Sequence, residues 1–428
     1  MIALRRNLHG YPEPGWAEYR TAALVAERLL QLGYEVATGK QACRSDARMG
    51  VPDEAELARH EDLALREGVD PVWLERMKGG HTAVVGMIRG DKPGPVVVLR
   101  FDMDCVEVDE SDHPDHLPVN LGYASRRKGL MHACAHDGHV AIGLGVAALI
   151  AQLRGELAGE VRLLFQPAEE GCRGAESMVA AGWLDDADYF FCGHIGLKSR
   201  TLGEIVASAS GFLSTSKIDA VFRGRAAHAG ESPELGNNAL LAACSAALHL
   251  HGISRHSGGS TRINVGQLEG GSGRNVVAGE ARLKLETRGE TEELNAYMAA
   301  ETERILEGTS KVYGVSCEWR QVGRGVGATG DAALIPWITK ACAEVERIET
   351  VIPTIGFGAS EDASSMLQTV QAHGGKGAYL LFGSPLKQGH HTPLFDFDED
   401  VLGIAAELLV QLVFDCPGWT YGDGGRRL

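Results

Sequence analysis

Hydrophobic and polar positions along the first half of the chain alternate between a helical and an extended rhythm. From Thr21 to Leu32 (TAALVAERLLQL) the spacing puts Leu24, Leu29 and Leu32 on roughly one helical face, and Gly33 follows as a stop. A strand is predicted over Tyr34 to Ala37. Residues 40–80 are charged and helix-permissive without a strand signal, which predicts a surface excursion or, equally, part of a substrate-binding surface. Pro95 to Arg100 (PVVVLR) is a short continuous apolar run of the buried-strand type, and it leads into Asp102 and Asp104. A helix over Asp137–Leu153, a strand over Val161–Phe165, a helix around Ala175–Ala181 and a strand over Tyr189–Cys192 continue the alternation. Such a succession predicts an α/β fold, a mostly parallel sheet covered by helices on both faces. Ligands of such sheets bind outside the carboxyl ends of the strands.

The middle of the chain keeps a different pattern. Lys217–Phe222 and Arg262–Leu268 are strand-like, and Ala281–Thr287 alternates apolar with charged residues, so one face is buried and the other wet. Helical spacing at Asn238–His251 and Thr291–Gly308 separates them, the latter aligning Leu294, Tyr297, Met298 and Ile305. Residues 209–324 are therefore expected to form an inserted α+β lid or dimerisation domain, between a first catalytic segment, 1–208, and a second, 325–428. The return is predicted through a helix over Ala332–Glu346, an irregular segment at Thr354–Ser360, a strand over Ala378–Phe382 and a helix over Asp400–Phe414.

Composition narrows the class of function. At 428 residues, 44% hydrophobic and 23% charged, the chain reads as a globular protein of two or three domains. Its formal charge of -16 argues against nucleic acid and against an anionic membrane surface. An anionic small molecule remains compatible, because arginines or a metal can dominate the field inside a cleft. The nine cysteines are odd in number and form no C-x-x-C pair, a pattern that suits a reducing compartment. The N-terminal residues show no apolar signal core, and the apolar run around Val140–Leu153 is too short for a bilayer, so the expectation is cytoplasmic.

Four segments carry candidate chemistry. MHACAHDGH (131–139) holds Cys134 and His136, LFQPAEEGC (164–172) holds Glu169 and Glu170, FCGHIGL (191–197) holds His194, and GHHTPLFD (389–396) holds His391. A lone cysteine or histidine beside an apolar helix is more often a core residue. Thiol, imidazole and carboxylate groups from four separate segments instead suit zinc, manganese, cobalt or a similar ion. Two adjacent glutamates allow one to fix a metal while the other handles protons. Asp102 is a candidate to stand behind a metal-bound imidazole and orient it. His132, His139 and His390 compete for ligand roles, and Glu361 and Asp362 read as the favourable acidic first turn of a helix.

Taken in order, LHGYPEPGWAEYRTA, RFDMD, MHACAHDGH, FQPAEEG, GHIG, AHAGESPELGNNAL, GSGRNVV and HHTPLFDFDE span nearly the whole chain. This set resembles the aminoacylase/carboxypeptidase family of dinuclear-metal amidohydrolases, in the branch carrying a bridging cysteine. RMGVPDEAEL, KLETRGE and SEDASSM are most similar to the branch that cleaves p-aminobenzoyl-glutamate. The resemblance implies two divalent ions, manganese or zinc foremost with cobalt or nickel also compatible, held by Cys134, His136, Glu170, His194 and His391. It also implies Glu169 as general base and acid, and His228 as a lid histidine that polarises the scissile carbonyl, often in the partner subunit's site. Asn275 and Arg288 correspond to lid residues that hold the substrate carboxylate. A homodimer, or a heteromer with a related second chain, acting on a small N-acyl amino acid is expected. A broader aminoacylase, carboxypeptidase or indole-acetyl-amino-acid hydrolase, and a metabolite-binding protein that has kept the fold without catalysis, are the alternatives. Ala135 stands where the family usually has Gly, Phe101 replaces a smaller residue, and the match starts so close to residue 1 that a shortened N-terminus is implied.

Overall fold

The apolar run after Pro95 lies in a strand, Lys92–Asp102, inside an eight-stranded sheet of the computed structural model, which describes residues 1–416. From edge to edge the strands are Glu35–Thr38, Val84–Arg89, Ala158–Gln166, Lys92–Asp102, Tyr189–Ile195, Lys376–Phe382, Glu204–Val206 and Thr350–Ile352. Lys92–Asp102 runs parallel to both its neighbours, and Tyr189–Ile195 runs parallel to Lys376–Phe382. Antiparallel pairings lie toward the edges. The expectation of a mostly parallel α/β sheet therefore holds at its centre.

Period-two alternation explains why both faces are covered. Val97, Leu99, Phe101, Leu163 and Phe165 join one core with helices Tyr19–Gln31, His136–Gln152 and Val401–Phe414. Val98, Leu164 and Phe190 join the other with helices Ala175–Val179 and Ala363–Ala372. The bulk of Phe101 is accommodated by the helix above it: a β-carbon at Gly143 would lie 2.7 Å from the Phe101 ring. Val84–Arg89 is a strand that the hydrophobic pattern alone does not single out, because Gly86 interrupts it. A β-carbon there would come within 2.9 Å of Leu29, so the glycine lets helix Tyr19–Gln31 approach the sheet.

The inserted region is a four-stranded antiparallel sheet ordered Thr261–Gly270, Glu280–Gly289, Ser214–Arg223, Ser316–Gly325. Helices Ala239–His251 and Glu292–Tyr313 cover one face through Phe222, Ala242, Leu283, Met298 and Leu306. Asn238 and Thr291 cap those helices, each accepting a backbone N–H three residues on. The last strand of this sheet, Ser316–Gly325, returns to the body beside the Glu169–Glu170 loop, where Arg324 N donates to Cys172 O at 2.7 Å. Residues 417–428, the end of the expected second catalytic segment, lie outside the described residues. Among the described residues, no helix is long and apolar enough to cross a membrane.

Candidate metal and catalytic site

Cys134 and His136 are aimed by a backbone reversal at the start of helix His136–Gln152. Ala135 between them is left-handed, at φ 68° and ψ 14°, a conformation that costs a non-glycine residue roughly 1–2 kcal/mol. Ala168 before Glu169, Cys172 after Glu170, and His391 itself are also at positive φ. These four are among only six such non-glycine residues in the described chain, so backbone strain is concentrated where the candidate chemistry lies. Tertiary hydrogen bonds hold these turns. Asp104 accepts the backbone N–H of both Glu169 and Glu170 at 3.0 Å, and His391 N donates to Ala133 O at 2.8 Å.

The imidazoles are oriented from behind. His136 Nδ1 lies 2.8 Å from the Asp104 carbonyl and donates to it, which leaves Nε2 buried without a hydrogen-bond partner. His194 Nδ1 donates to Ile195 O at 2.8 Å, turning Nε2 toward Cys134 Sγ at 3.4 Å. His391 Nε2 lies 3.1 Å from Glu170 Oε1, and Glu169 Oε2 lies 3.9 Å from His136 Nε2. Donor atoms of Cys134, His136 and His194 lie within 4.8 Å of one another, and so do those of Cys134, Glu170 and His391. Cys134 thus belongs to both groups.

These residues fit metal ions. Nε2 of His136 is buried with no hydrogen-bond partner, and Oε1 of Glu170 faces only the His391 imidazole at 3.1 Å, which is how lone pairs available for ligation look. The electrostatics agree: burial opposes a proton on His136, yet Asp102, Asp104 and Glu170 raise its pKa to about 10, so the pocket favours positive charge. Burial, then Glu170, Glu169 and Asp102, push the Cys134 thiol well above its usual range, so a thiolate there needs a compensating cation. Burial, His139 and His390 hold His194 neutral, with its pKa well below the usual value. Sulfur, imidazole and carboxylate donors together suit a borderline divalent ion.

The group expected of Asp102 is differently placed. Its Oδ1 lies 2.6 Å from His139 Nδ1 and 3.7 Å from His136 Nε2, so the imidazole it holds is His139, while Asp104 holds His136. His139 Nε2 accepts from Ile195 N, so both its nitrogens are engaged; His390 Nε2 bonds Ile195 O. His132 is buried with neither nitrogen partnered. Glu361 and Asp362 do precede a helix, Ala363–Ala372, but both are buried and turn inward. Arg100 lies 2.7 Å from Asp102, 3.1 Å from Glu361 and 3.3 Å from Asp362; Gln166 donates to Asp362 and Tyr379 to Glu361. Carboxylate oxygens of Glu169, Glu361 and Asp362 come within 4.8 Å of one another. Burial, followed by Glu361, Glu170 and Asp362, raises the Glu169 pKa well above the carboxylate range. No local signal links Arg100 to partners more than 250 residues away, which is why the sequence leaves this network unseen.

His228, Asn275 and Arg288 are not brought to the cluster by this chain. His228 is exposed, with Nδ1 accepting from Gly230 N and Glu231 N. It pairs with Val276 across a two-stranded ribbon that also positions the exposed Asn275. Arg288 forks onto Glu286, which also takes Lys217. Among the described residues no hydrogen bond or ion pair joins these three to the cluster.

The profile of Peptidase family M20/M25/M40 matches residues 98–415. The chain is 45% identical to indole-3-acetyl-aspartic acid hydrolase of Enterobacter agglomerans, over 99% of this chain and 97% of that protein. It is 44% identical to one of the subunits of p-aminobenzoyl-glutamate hydrolase of Escherichia coli, over 98% and 96%. The solved structure of an aminobenzoyl-glutamate utilization protein from Klebsiella pneumoniae superposes with a TM-score of 0.83 at 38% identity, over 97% of this chain and 95% of that one.

Proposed function

This chain belongs to Peptidase family M20/M25/M40, and from that premise we propose that it hydrolyses p-aminobenzoyl-glutamate to p-aminobenzoate and glutamate. It is a metal-dependent hydrolase of amide bonds. The observation that carries the reading is the pair of donor groups meeting at Cys134, with the carboxylate of Glu169 beside them. Indole-3-acetyl-aspartate is the second reading, favoured by the relative at 45% identity. Both named substrates join an aromatic acyl group to an amino acid with a second carboxylate, and that shared class is the core of the proposal.

In this reading Cys134, His136, Glu170, His194 and His391 would hold two divalent cations, Cys134 belonging to both groups of donors. Bound there, the cations supply Lewis acidity to the attacking water and the scissile carbonyl. Thiol and imidazole favour zinc, the carboxylate admits manganese or cobalt, and nickel also suits the set. Glu169 takes a proton from water as the C–O bond forms and delivers it to the departing amine nitrogen as the C–N bond breaks. Its raised pKa suits that exchange, and burial with the neighbouring carboxylates of Glu361, Glu170 and Asp362 keeps it raised. Asp104 keeps His136 in the tautomer that presents Nε2. His228, exposed on the lid, serves a neighbouring protomer's site in a homodimer or in a heteromer with a related chain; the Escherichia coli relative is itself named as one of several subunits. Asn275 and Arg288, whose fork Glu286 occupies in this structure, would hold the substrate α-carboxylate. The nine cysteines, none of them paired, support a cytoplasmic setting.

The test is release of amino acid by metal-loaded protein from p-aminobenzoyl-glutamate, indole-3-acetyl-aspartate and a panel of N-acetyl amino acids. Turnover led by p-aminobenzoyl-glutamate supports the assignment, faster indole-3-acetyl-aspartate cleavage replaces it with the second reading, and turnover of only the N-acetyl amino acids defeats both.

A further inference from the structure

We propose that Arg173 selects the acidic amino acid of the substrate by receiving its side-chain carboxylate. The inference rests on the substrate class given above and names the residue that reads it.

Arg173 follows Glu170 by three residues and is half-buried. Its Nε donates to the Glu170 carbonyl at 2.7 Å and its Nη1 to the Gly50 carbonyl at 3.3 Å. Three parts of the molecule meet there: the Glu169–Glu170 loop, the charged excursion of residues 40–80 and the lid sheet. Two glycines from separate segments make room for the side chain. A β-carbon at Gly15 would lie 2.3 Å from Nη2 of Arg173, and one at Gly50 would lie 2.7 Å from its Cδ. The guanidinium is thus held in place by backbone groups and by the absence of two side chains.

What it lacks is a counter-charge. Arg173 lines a cleft of about 290 Å³ between the loop and the wet face of the inserted sheet, with Lys217, Asn264, Lys284 and the carboxylates of Asp219 and Glu286; Asp219 faces Arg320 at 3.7 Å. Lys217 is neutralised by Glu286, which also takes Arg288. Among the described residues Arg173 has no carboxylate partner, although the chain carries 57 acidic against 41 basic residues. Its two hydrogen bonds go to neutral carbonyls, leaving N–H groups on the planar fork. A fork of that kind, preorganised beside a catalytic loop and uncompensated, is matched by a carboxylate. A dicarboxylic leaving group brings one carboxylate for the lid and a second for Arg173. A neutral or monocarboxylic amino acid would leave it unanswered.

The experiment compares kcat/KM for p-aminobenzoyl-glutamate with that for p-aminobenzoyl-glutamine, which has the same length and a carboxamide in place of the carboxylate. Metal-loaded wild type, Arg173→Gln and Arg173→Lys are used as full chains. The wild-type preference for the acid is expected to fall roughly 10- to 100-fold in Arg173→Gln, the size of one lost charge-assisted hydrogen-bonded pair, with the loss mainly in KM. Arg173→Lys keeps the charge without the fork and is expected to fall between; if the glutamine variant does not fold, this one carries the test, and a wild-type ratio in it overturns the proposal. A preference retained in Arg173→Gln, even with both rates lowered, makes Arg173 a strap between loop and excursion and overturns the proposal while leaving the substrate class standing. A wild type that shows no preference for the acid, or cleaves neither compound, overturns both.

Discussion

His136 and Asp137 are adjacent, yet they open onto two buried polar clusters of opposite character. On the Asp137 side, Arg5 Nε lies 2.9 Å from Asp137 and Nη2 lies 2.8 Å from Asp396, while His9 spans Asp137 at 2.8 Å and Glu110 at 3.0 Å. Each charge there faces an opposite one. On the His136 side, Nε2 of His136 is buried without a hydrogen-bond partner, Oε1 of Glu170 faces only the His391 imidazole, and carboxylates crowd against carboxylates. Burial of charge is thus shared by both clusters and distinguishes neither. An imidazole nitrogen left without a partner and like-charge crowding distinguish the one suited to cations and proton transfer, whereas the matched network ties helix Ile2–His9 to the body.

The comparison can be broken by substitution. The largest effect is expected at Glu169→Ala: hydrolysis should fall by roughly 10²- to 10⁴-fold, with bound metal unchanged by elemental analysis. Substantial remaining turnover would remove Glu169 from the proton path. Next, Arg5→Met leaves Asp396 buried without its cation and Asp137 with His9 alone, and should cost about 3–5 kcal/mol in urea unfolding. It should keep the rise in thermal stability on adding zinc or manganese; His136→Ala should lose that ion-dependent rise while altering the apo protein less. Equal responses in the two variants would erase the distinction between the clusters.

A pH series sharpens the same point. Burial opposes a proton on His9, but Asp137 and Glu110 raise its pKa above the usual value. Protonated His9 therefore contributes stability that is fully present below its unfolded pKa of about 6.5. That contribution is lost as pH rises through the raised folded value. In His9→Gln this alkaline decline in unfolding midpoint should flatten, and an unchanged profile would assign it to another group. The smallest effect is expected at Ala135→Gly, where relief of left-handed strain and the added flexibility of the unfolded chain offset each other to within roughly 1 kcal/mol. A larger loss of stability would mean that the methyl group, buried in the core, matters more than the turn.

Much of the body was legible because its signals are local. PVVVLR is a buried strand by composition, and the long apolar stretch after Asp137 is a helix enclosed by sheet and helices. Cys134, His136, Glu170, His194 and His391 stand out because each follows or precedes a strong element, and the structure gathers all five. Asp104 lay in plain view beside Asp102 yet could not be told from it, since which carboxylate supports which histidine depends on the packing of helix His136–Gln152 over the sheet. Glu361 and Asp362 looked like helix-start residues, and Arg100, Gln166 and Tyr379, delivered by strands distant in the sequence, turn them inward.

The sequence by itself determined the alternation of strands and helices, the antiparallel character of the middle sheet and the chemical types of the candidate donors, because periodicity and side-chain chemistry are properties of neighbouring residues. Tertiary structure alone decided which lone pairs remain without hydrogens, which imidazole Asp102 holds and where the uncompensated guanidinium of Arg173 lies. Those are outcomes of pairing among groups distant in the chain, and the desolvation that makes each pairing matter exists only once the core has closed around them.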